Sequence, residues 1–492
     1  MSFKLLFGND LAAFCPELFL ATSLLVVLLH GVFLGSVAAS LRTYLTPSMV
    51  RITSAIFFLS LVLVLNNPVA PQALWNGFFI TDFTTAWAKC LVILGLSLCL
   101  PLCESYMFYA SFRSYEFFVF LLGVCLSLCL LVSSNDLLSI YLSVEFLSLL
   151  FYILATWKKS SFFSAEAGLK YFIMGSLASL FYLFGASLLY FSFGTTSLGA
   201  ISILTEPVPI VAPYTHLALI LIGAALLFKL GAAPYHMWIA DIYEGSPTIV
   251  SYVFAVVPKI GIFVLLLRLA FVSTWVFFTP VWEDFFSIAG ILSVLFGSLC
   301  GLGETKVKRL LAFSGVGHMG FLCLGLSTGT IEGIQAVLFY LTTYMVTSAF
   351  LWLVVLQLGS NKVSIRITDL IGLTRSNPLL GFTVILIVFS LAGIPPLAGF
   401  FAKFNIFICL VNSSFIIAAV LSVLSSVLSA FYYIRLVKIL SFEGKRKWLY
   451  FPPIPKGSAL SLVLTGFTVI FFISSPSLLY LITNKVTLSI FS

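Results

Sequence analysis

The sequence predicts an all-α, polytopic membrane protein with about fourteen transmembrane helices, and three observations carry that fold class. Of the 492 residues, 61% are hydrophobic and 9% are charged, whereas soluble chains carry about 25% charged residues. Residues 18–41, 52–81, 376–402, 404–434 and 457–484 contain no Asp, Glu, Lys or Arg. Each of these stretches exceeds the ~20 residues that cross a bilayer. The basic residues, finally, gather in alternate connections between the apolar runs, as membrane topology requires.

The spans follow from apolar runs bounded by charge or turn residues. The first covers 11–39 and stops before Arg42; the second, 50–67, ends at Asn66, Asn67 and Pro68. The third, 83–103, opens after Asp82, and 115–133, 135–157 and 164–194 follow, the last two separated by Lys158 and Lys159. The seventh, 213–240, is interrupted, and the eighth, 247–271, begins behind Gly245-Ser246-Pro247. Spans 284–303, 307–327 and 332–359 are parted by the Lys306–Arg309 cluster and by Gly329-Thr330. The twelfth, 377–411, is interrupted again; 412–438 and 458–483 complete the set, with a Lys- and Pro-rich connection between them.

Sorting the 25 Lys and Arg residues tests that order. Connections after odd-numbered helices hold 17 of them, including Arg42, Lys158, Lys306, Arg375 and Arg446. Connections after even-numbered helices hold essentially none, although Lys89 and Arg268 near helix ends are placed to snorkel that way. The positive-inside rule then puts both termini on the outer side. The formal charge of +8 is thus topology and not a nucleic-acid footprint, since no basic patch with interleaved polar residues appears. Membrane lipid is the expected surface partner.

Two spans break in the same way. One reads LLFKLGAAPYHMW, with Gly231 and Pro234; the other reads LAGIPPLAGFFAKF, with Gly393, Pro395 and Pro396. Proline lacks an amide hydrogen and clashes with the preceding turn, so helices 7 and 12 should both break near mid-membrane. An offset of five helices is odd and reverses direction. The expected architecture is therefore a pair of inverted five-helix repeats, helices 4–8 and 9–13. The corresponding segments are 1–114, an N-terminal three-helix unit; 115–272 and 273–438, the two repeats; and 439–492, the C-terminal helix.

Five ionisable groups lie within apolar helices: Glu145, Lys170, Lys229, Lys259 and Lys403. Each costs roughly 2.5–3.5 kcal/mol at the bilayer centre, so they are expected to face the bundle interior, paired or hydrated. Lys170 lies within two turns of a helix start, where snorkelling is the competing reading. Desolvation disfavours an ammonium and a nearby carboxylate favours it. A Lys–Glu pair that opens and closes can therefore take up and release a proton. His236 and His318 are further relay candidates, or helix-end hydrogen bonders. Nine cysteines lie mostly in apolar runs, with no metal-ligand spacing, and no phosphate loop, nucleophile triad or cofactor motif appears. The start, MSFKLLFGND, lacks the pattern of a presequence or cleaved signal, so the first apolar run is expected to be retained.

Six runs then resemble a known family: SAEAGLKYFIMGS (164–176), FKLGAAPYHMWIADIYEGSPT (228–248), PKIGIF (258–263), TKVKRLLAFSGVGHMGF (305–321), AGIPPLAGFFAKF (392–404) and FYYIRLVK (431–438). They are similar to the antiporter-like, proton-translocating membrane subunits of respiratory complex I, NADH:ubiquinone oxidoreductase. Lysine at 403 resembles the subunit 2 branch, and the run APYHMWIADIYEGSPT is similar to its mitochondrial plant and algal form. FSGVGH stands where YSSIGH is usual, removing a tyrosine hydroxyl and a serine near His318.

The resemblance implies outward proton pumping through Glu145, Lys229, Lys259 and Lys403, with Lys170 on a lysine familiar from this branch. It implies no cofactor in this chain, with NADH, FMN, iron–sulfur clusters and ubiquinone in other subunits of the enzyme. It further implies subunits 4 and 4L as partners and a multi-pass location in the mitochondrial inner membrane, termini toward the intermembrane space. The alternatives are a cation/proton antiporter subunit and the equivalent chloroplast subunit.

Overall fold

A backbone inside hydrocarbon must satisfy its own hydrogen bonds, and the helix does so within one segment. The structure, a computed structural model, accordingly is helical through nearly all of its apolar runs. It describes residues 10–37, 42–67, 71–109, 114–158, 160–205, 213–271, 279–358, 366–443, 454–472 and 474–491. Of the charges used for topology, Lys4, Arg113, Lys159, Lys362, Lys445, Arg446 and Lys447 lie outside these residues.

Among the described residues, 11 helices are long and apolar enough to cross a membrane, or up to 12 if one bent pair counts as a span. That pair corresponds to the expected fourteenth helix, which is divided into Lys456–Phe471 and Pro476–Phe491. The proline sits at the first position of the second piece, where its missing amide hydrogen costs nothing. The seventh and twelfth spans are absent from the 11 because each is divided into pieces too short to cross alone: Pro213–Leu230 with Met237–Gly245, and Pro378–Ala392 with Ala398–Asn412.

The all-helical expectation needs one amendment, a hairpin of Gln72–Leu74 and Phe79–Thr81. It is antiparallel, with Ala73 opposite Ile80. Trp75, Asn76 and Gly77 turn with positive φ, and Asn-Gly is the strongest short hairpin signal. The hairpin closes over the connection between Glu116–Ser133 and Leu137–Ala155, where Asn135 N–H donates to Phe78 O at 2.9 Å.

Two compact units divide the chain. One comprises Met1–Lys229, Val257–Thr279 and Lys485–Ser492; the other comprises Leu230–Val256 and Pro280–Asn484. In the first, Arg42–Asn66 packs on Cys15–Val37 and Phe83–Tyr109, while Leu137–Ala155 packs on Glu116–Ser133 and Phe162–Phe193. In the second, Ile331–Leu358 is the central element, packed on Val307–Ser327, Ala398–Asn412 and Lys456–Phe471. Buried hydroxyls fold back onto their own helices: Ser127 donates to Val124 O at 2.9 Å and Thr347 to Thr343 O at 2.8 Å. The outward faces carry large apolar side chains such as Phe33, Phe58, Phe191 and Leu379, as surfaces toward lipid or other apolar helices must.

Lys89 and Arg268 do not snorkel. Both are buried; Lys89 pairs with Glu17 of Cys15–Val37, and Arg268 pairs with Asp82 at 3.2 Å while donating to Ser134 O at 3.3 Å. Burial pushes the Asp82 carboxyl up, and the charges of Arg268 and Lys89 oppose that rise. Breaking a buried pair by removing one partner costs about 3–5 kcal/mol, whereas replacing both by apolar groups is often neutral. Glu17→Leu or Lys89→Met alone should therefore lower the thermal midpoint of the purified protein strongly. The double variant should recover most of the loss, measured by melting in detergent.

Candidate functional site

Glu145 sits in Leu137–Ala155, a helix started by Asp136, whose carboxylate accepts from Leu138 N–H at 2.8 Å and from the Thr196 hydroxyl at 2.8 Å. One turn beyond Glu145, the Ser148 hydroxyl donates to its Oε2 at 3.1 Å. Oε1 has no hydrogen-bond partner among the described residues, and neither has Lys229 Nζ. The Glu145 charge nonetheless acts on Lys229 electrostatically. The ammonium also lies 6.0 Å from the Tyr152 ring centroid, over a face that attracts cations. The pair is thus near but open.

Lys229 is the penultimate residue of Pro213–Leu230. The helix ends because Gly231 takes φ +72°, and a Cβ there would meet Ile239 Cδ1 at 1.8 Å. A cation in the last helical turn faces the negative end of the helix dipole. His236 follows at the start of Met237–Gly245, buried, its ring stacked on Phe296 at 5.2 Å. Pro234 lies between the two pieces.

Lys259 is buried in Thr248–Phe271, directly after Pro258. That proline cannot donate to Phe254 O; the Tyr243 hydroxyl does so instead, at 3.1 Å. Lys170 differs from its expected interior position. Its side chain is 47% exposed and pairs with Glu166 one turn earlier at 2.7 Å. The reason is the face it occupies: Leu169, Phe172 and Ile173 around it are exposed as well, while the narrow buried stripe of its helix runs through Gly168, Tyr171 and Gly175.

The second break accounts for every carbonyl it frees. A helix leaves four C-terminal carbonyls without partners. In Pro378–Ala392, Phe389 O accepts from Gly393 N–H and Ile394 N–H at 3.0 and 3.1 Å, and Ser390 O accepts from Gly393 N–H at 3.0 Å. The remaining two, Leu391 O and Ala392 O, each accept from Lys403 Nζ at 2.9 Å. Gly393 turns the chain with φ +89°, Pro395 and Pro396 follow, and Gly399 lets Ala398–Asn412 approach: a Cβ on it would meet Ser390 O at 1.8 Å. Lys403 is therefore held by backbone dipoles, with the Phe321 ring 5.5 Å away.

His318 lies in the same unit, buried in Val307–Ser327. Its Nδ1 lies 2.7 Å from the Tyr340 hydroxyl and its Nε2 lies 3.1 Å from the Tyr433 hydroxyl. Two cavities of about 10 Å³ adjoin it, both lined by His318 and Lys403. Each has room for about one water molecule.

The site thus consists of half-helices that end against lysines, within a helical membrane chain. The chain belongs to the family described as NADH:quinone oxidoreductase/Mrp antiporter, transmembrane, which matches residues 134–429. It is similar to the NADH-ubiquinone oxidoreductase chain 2 of Marchantia polymorpha, 36% identical over 98% of this chain and 99% of the relative. The chain 2 of Oenothera berteroana is also 36% identical, over 99% of this chain and 100% of its own length. Among solved structures, a chain of respiratory complex I from Thermus thermophilus superposes with a TM-score of 0.80 at 31% identity, covering 94% of this chain and 98% of that one. A chain of the Mrp complex from Dietzia sp. shares the fold with a TM-score of 0.81 at 21% identity, over 98% of each. The resemblance read from six motifs thus holds across the whole chain.

Sequence reasoning missed Tyr340, Tyr433 and Tyr152, because tyrosines in apolar helices carry no spacing signal. It also read Lys306, Lys308 and Arg309 as loop charges only. Lys306 pairs with Glu244, Arg309 lies 3.6 Å from Asp241, and buried Lys308 donates to Ser246 O at 2.8 Å. The acidic residues of ADIYEG, with the opposite charges of TKVKR, were the available signal.

Gly393→Ala should lower stability by about 1–2 kcal/mol from left-handed backbone strain. It should also crowd Lys403, whose Cδ would lie 3.1 Å from the new Cβ. A denaturation midpoint of the variant equal to that of the parent chain would refute this account of the break.

Proposed function

We propose that this chain is a proton-translocating membrane-arm subunit of an NADH:ubiquinone oxidoreductase, of the chain 2 type. The single observation that carries the reading is the pair of broken helices with a lysine at each freed end, Lys229 beside Gly231 and Lys403 on Leu391 O and Ala392 O. Family membership supports it.

The chemistry follows from the geometry. Glu145 and Lys229 stand near each other without a direct hydrogen bond. Approach of the carboxylate stabilises the ammonium; separation leaves it desolvated and favours release of its proton. Lys259 is a second buried acid–base group of that unit, and Lys403 serves the other unit, exchanging with the outer side. Lys170, tied to Glu166 on an exposed face, stands at the margin of this set. His236, at the first break, and His318, beside Lys403, are the accompanying relay positions. Moving each proton outward costs roughly 2.3 kcal/mol per 100 mV, an energy delivered from NADH, FMN, iron–sulfur and ubiquinone chemistry in other subunits.

In this reading the 11 single spans, the bent C-terminal pair and the two broken spans make fourteen crossings, with helices 4–8 and 9–13 as inverted repeats. Their segments are 115–272 and 273–438, flanked by 1–114 and 439–492. The chain lies in the mitochondrial inner membrane, termini toward the intermembrane space, beside subunits 4 and 4L. A second reading, a cation/proton antiporter subunit, draws on the fold shared with the Mrp chain. Robust sodium/proton exchange by the isolated, reconstituted chain would favour it.

Glu145→Ala and Lys229→Ala in the assembled enzyme should each depress proton pumping and coupled NADH oxidation by tenfold or more, in line with loss of a proton-transfer group, worth about 10²–10⁴ in rate. Electron transfer to an artificial acceptor upstream should persist. Unchanged pumping stoichiometry and turnover in both variants would sink the proposal.

A further inference from the structure

We propose that Tyr340, His318 and Tyr433 form a proton bridge between two small polar cavities, and that the two tyrosine hydroxyls carry the proton onto and off the imidazole. This rests on the proton-transfer reading above and adds residues to it.

Both ring nitrogens of His318 are engaged by hydroxyls, Nδ1 with Tyr340 at 2.7 Å and Nε2 with Tyr433 at 3.1 Å. A neutral imidazole carries one N–H and one bare nitrogen. One tyrosine must therefore accept from the ring while the other donates to it. The hydrogen bonds run in one direction through the three side chains, as in a wire. All three residues are buried.

The ends of this wire open on different cavities. One, of about 10 Å³, is lined by Tyr433 with Ser298, Ser314, Ser425, Ser429 and Tyr432. The other, of the same volume, is lined by Tyr340 with Thr343, Thr347, Ser390 and Gly399. Hydroxyl groups dominate the polar lining of both, and a cavity of that size admits about one water with polar partners around it. Lys403 borders each cavity, so the bridge joins two water positions that share one lysine.

A proton arriving from the serine-lined cavity bonds to Tyr433 oxygen, whose own hydroxyl proton passes to Nε2. The ring then gives up its Nδ1 proton to Tyr340 oxygen, and Tyr340 releases its former hydroxyl proton into the second cavity. Both tyrosines end as neutral hydroxyls and the imidazole ends as the opposite tautomer. The wire now points the other way, and a second proton cannot follow until the ring and hydroxyls reset. Such a relay passes one proton per reset, which suits a pump that must not leak.

Phe313 and Gly315 lack hydroxyls, and Tyr340 and Tyr433, from two other helices, supply the pair that the histidine uses.

The test uses the assembled enzyme in proteoliposomes, comparing Tyr340→Phe, Tyr433→Phe and His318→Gln. The phenylalanines keep the rings and remove one oxygen each; glutamine keeps hydrogen bonding but cannot shuttle a proton through a ring. Two further variants act as references: Lys403→Ala, and Tyr480→Phe, which removes a half-buried hydroxyl paired with Asn405. The expected result is a loss of proton pumping of at least about tenfold in the three bridge variants, with normal assembly and upstream electron transfer, and near-parent pumping in Tyr480→Phe. Parent-level pumping in any two assembled bridge variants overturns the bridge. If Lys403→Ala alone loses pumping, the bridge fails and the pump reading stands. If Lys403→Ala also pumps normally, the pump reading fails with it. An equal loss in Tyr480→Phe overturns the bridge, because a hydroxyl outside it would then matter as much.

Discussion

A carbonyl oxygen released from a helix inside hydrocarbon must find a donor, and there is no bulk water to supply one. Most of the functional architecture depends on how this chain meets that demand. At the end of Pro378–Ala392, two carbonyls turn to amides of the next residues and two turn to the Lys403 ammonium. The break and the charge are therefore one feature. Without the lysine the carbonyls would be orphaned, and without the carbonyls the ammonium would stand unpaired in an apolar unit. Backbone dipoles stabilise an ammonium less completely than a carboxylate does.

The other unit uses a different solution. Its lysine stands at the end of its half-helix, near Glu145 but unbonded to it, with Tyr152 beside the ammonium. Fixed dipoles around Lys403 and a spaced carboxylate beside Lys229 are two ways of holding a cation loosely. The first depends on backbone geometry, so glycine and proline govern it. The second depends on the distance between Leu137–Ala155 and Pro213–Leu230, so a small movement of either helix changes it. Structural ion pairs elsewhere contrast with both: Glu17–Lys89 is a closed, buried contact between Cys15–Val37 and Phe83–Tyr109, and Asp82–Arg268 ties the start of Phe83–Tyr109 to Thr248–Phe271.

The hydroxyl-rich neighbourhood of His318 extends the same logic from charges to neutral groups. Buried hydroxyls normally fold onto their own helix, as Ser127 and Thr347 do. Tyr340 and Tyr433 do not; both meet one imidazole from different helices. Convergence of that kind orders a direction of hydrogen bonding, which a set of separately satisfied hydroxyls cannot do.

The sequence alone determined the class of fold, the positions of most spans, the two breaks and three of the lysines inside the helices, Lys229, Lys259 and Lys403. It could do so because hydrocarbon imposes composition directly: charge is excluded from spans, and each exception or proline is visible in one dimension. It did not reveal that Lys170 faces outward or that Lys89 and Arg268 turn inward, since a helix shows its burial only when its neighbours are placed. Nor could it find the hairpin's seat over Asn135, or the partners of Lys403, which are backbone atoms common to every residue. Tyr340 and Tyr433 are separated from His318 by 22 and 115 residues. Only the packing of three helices brings their hydroxyls to the two ring nitrogens, and that convergence is decided by tertiary structure.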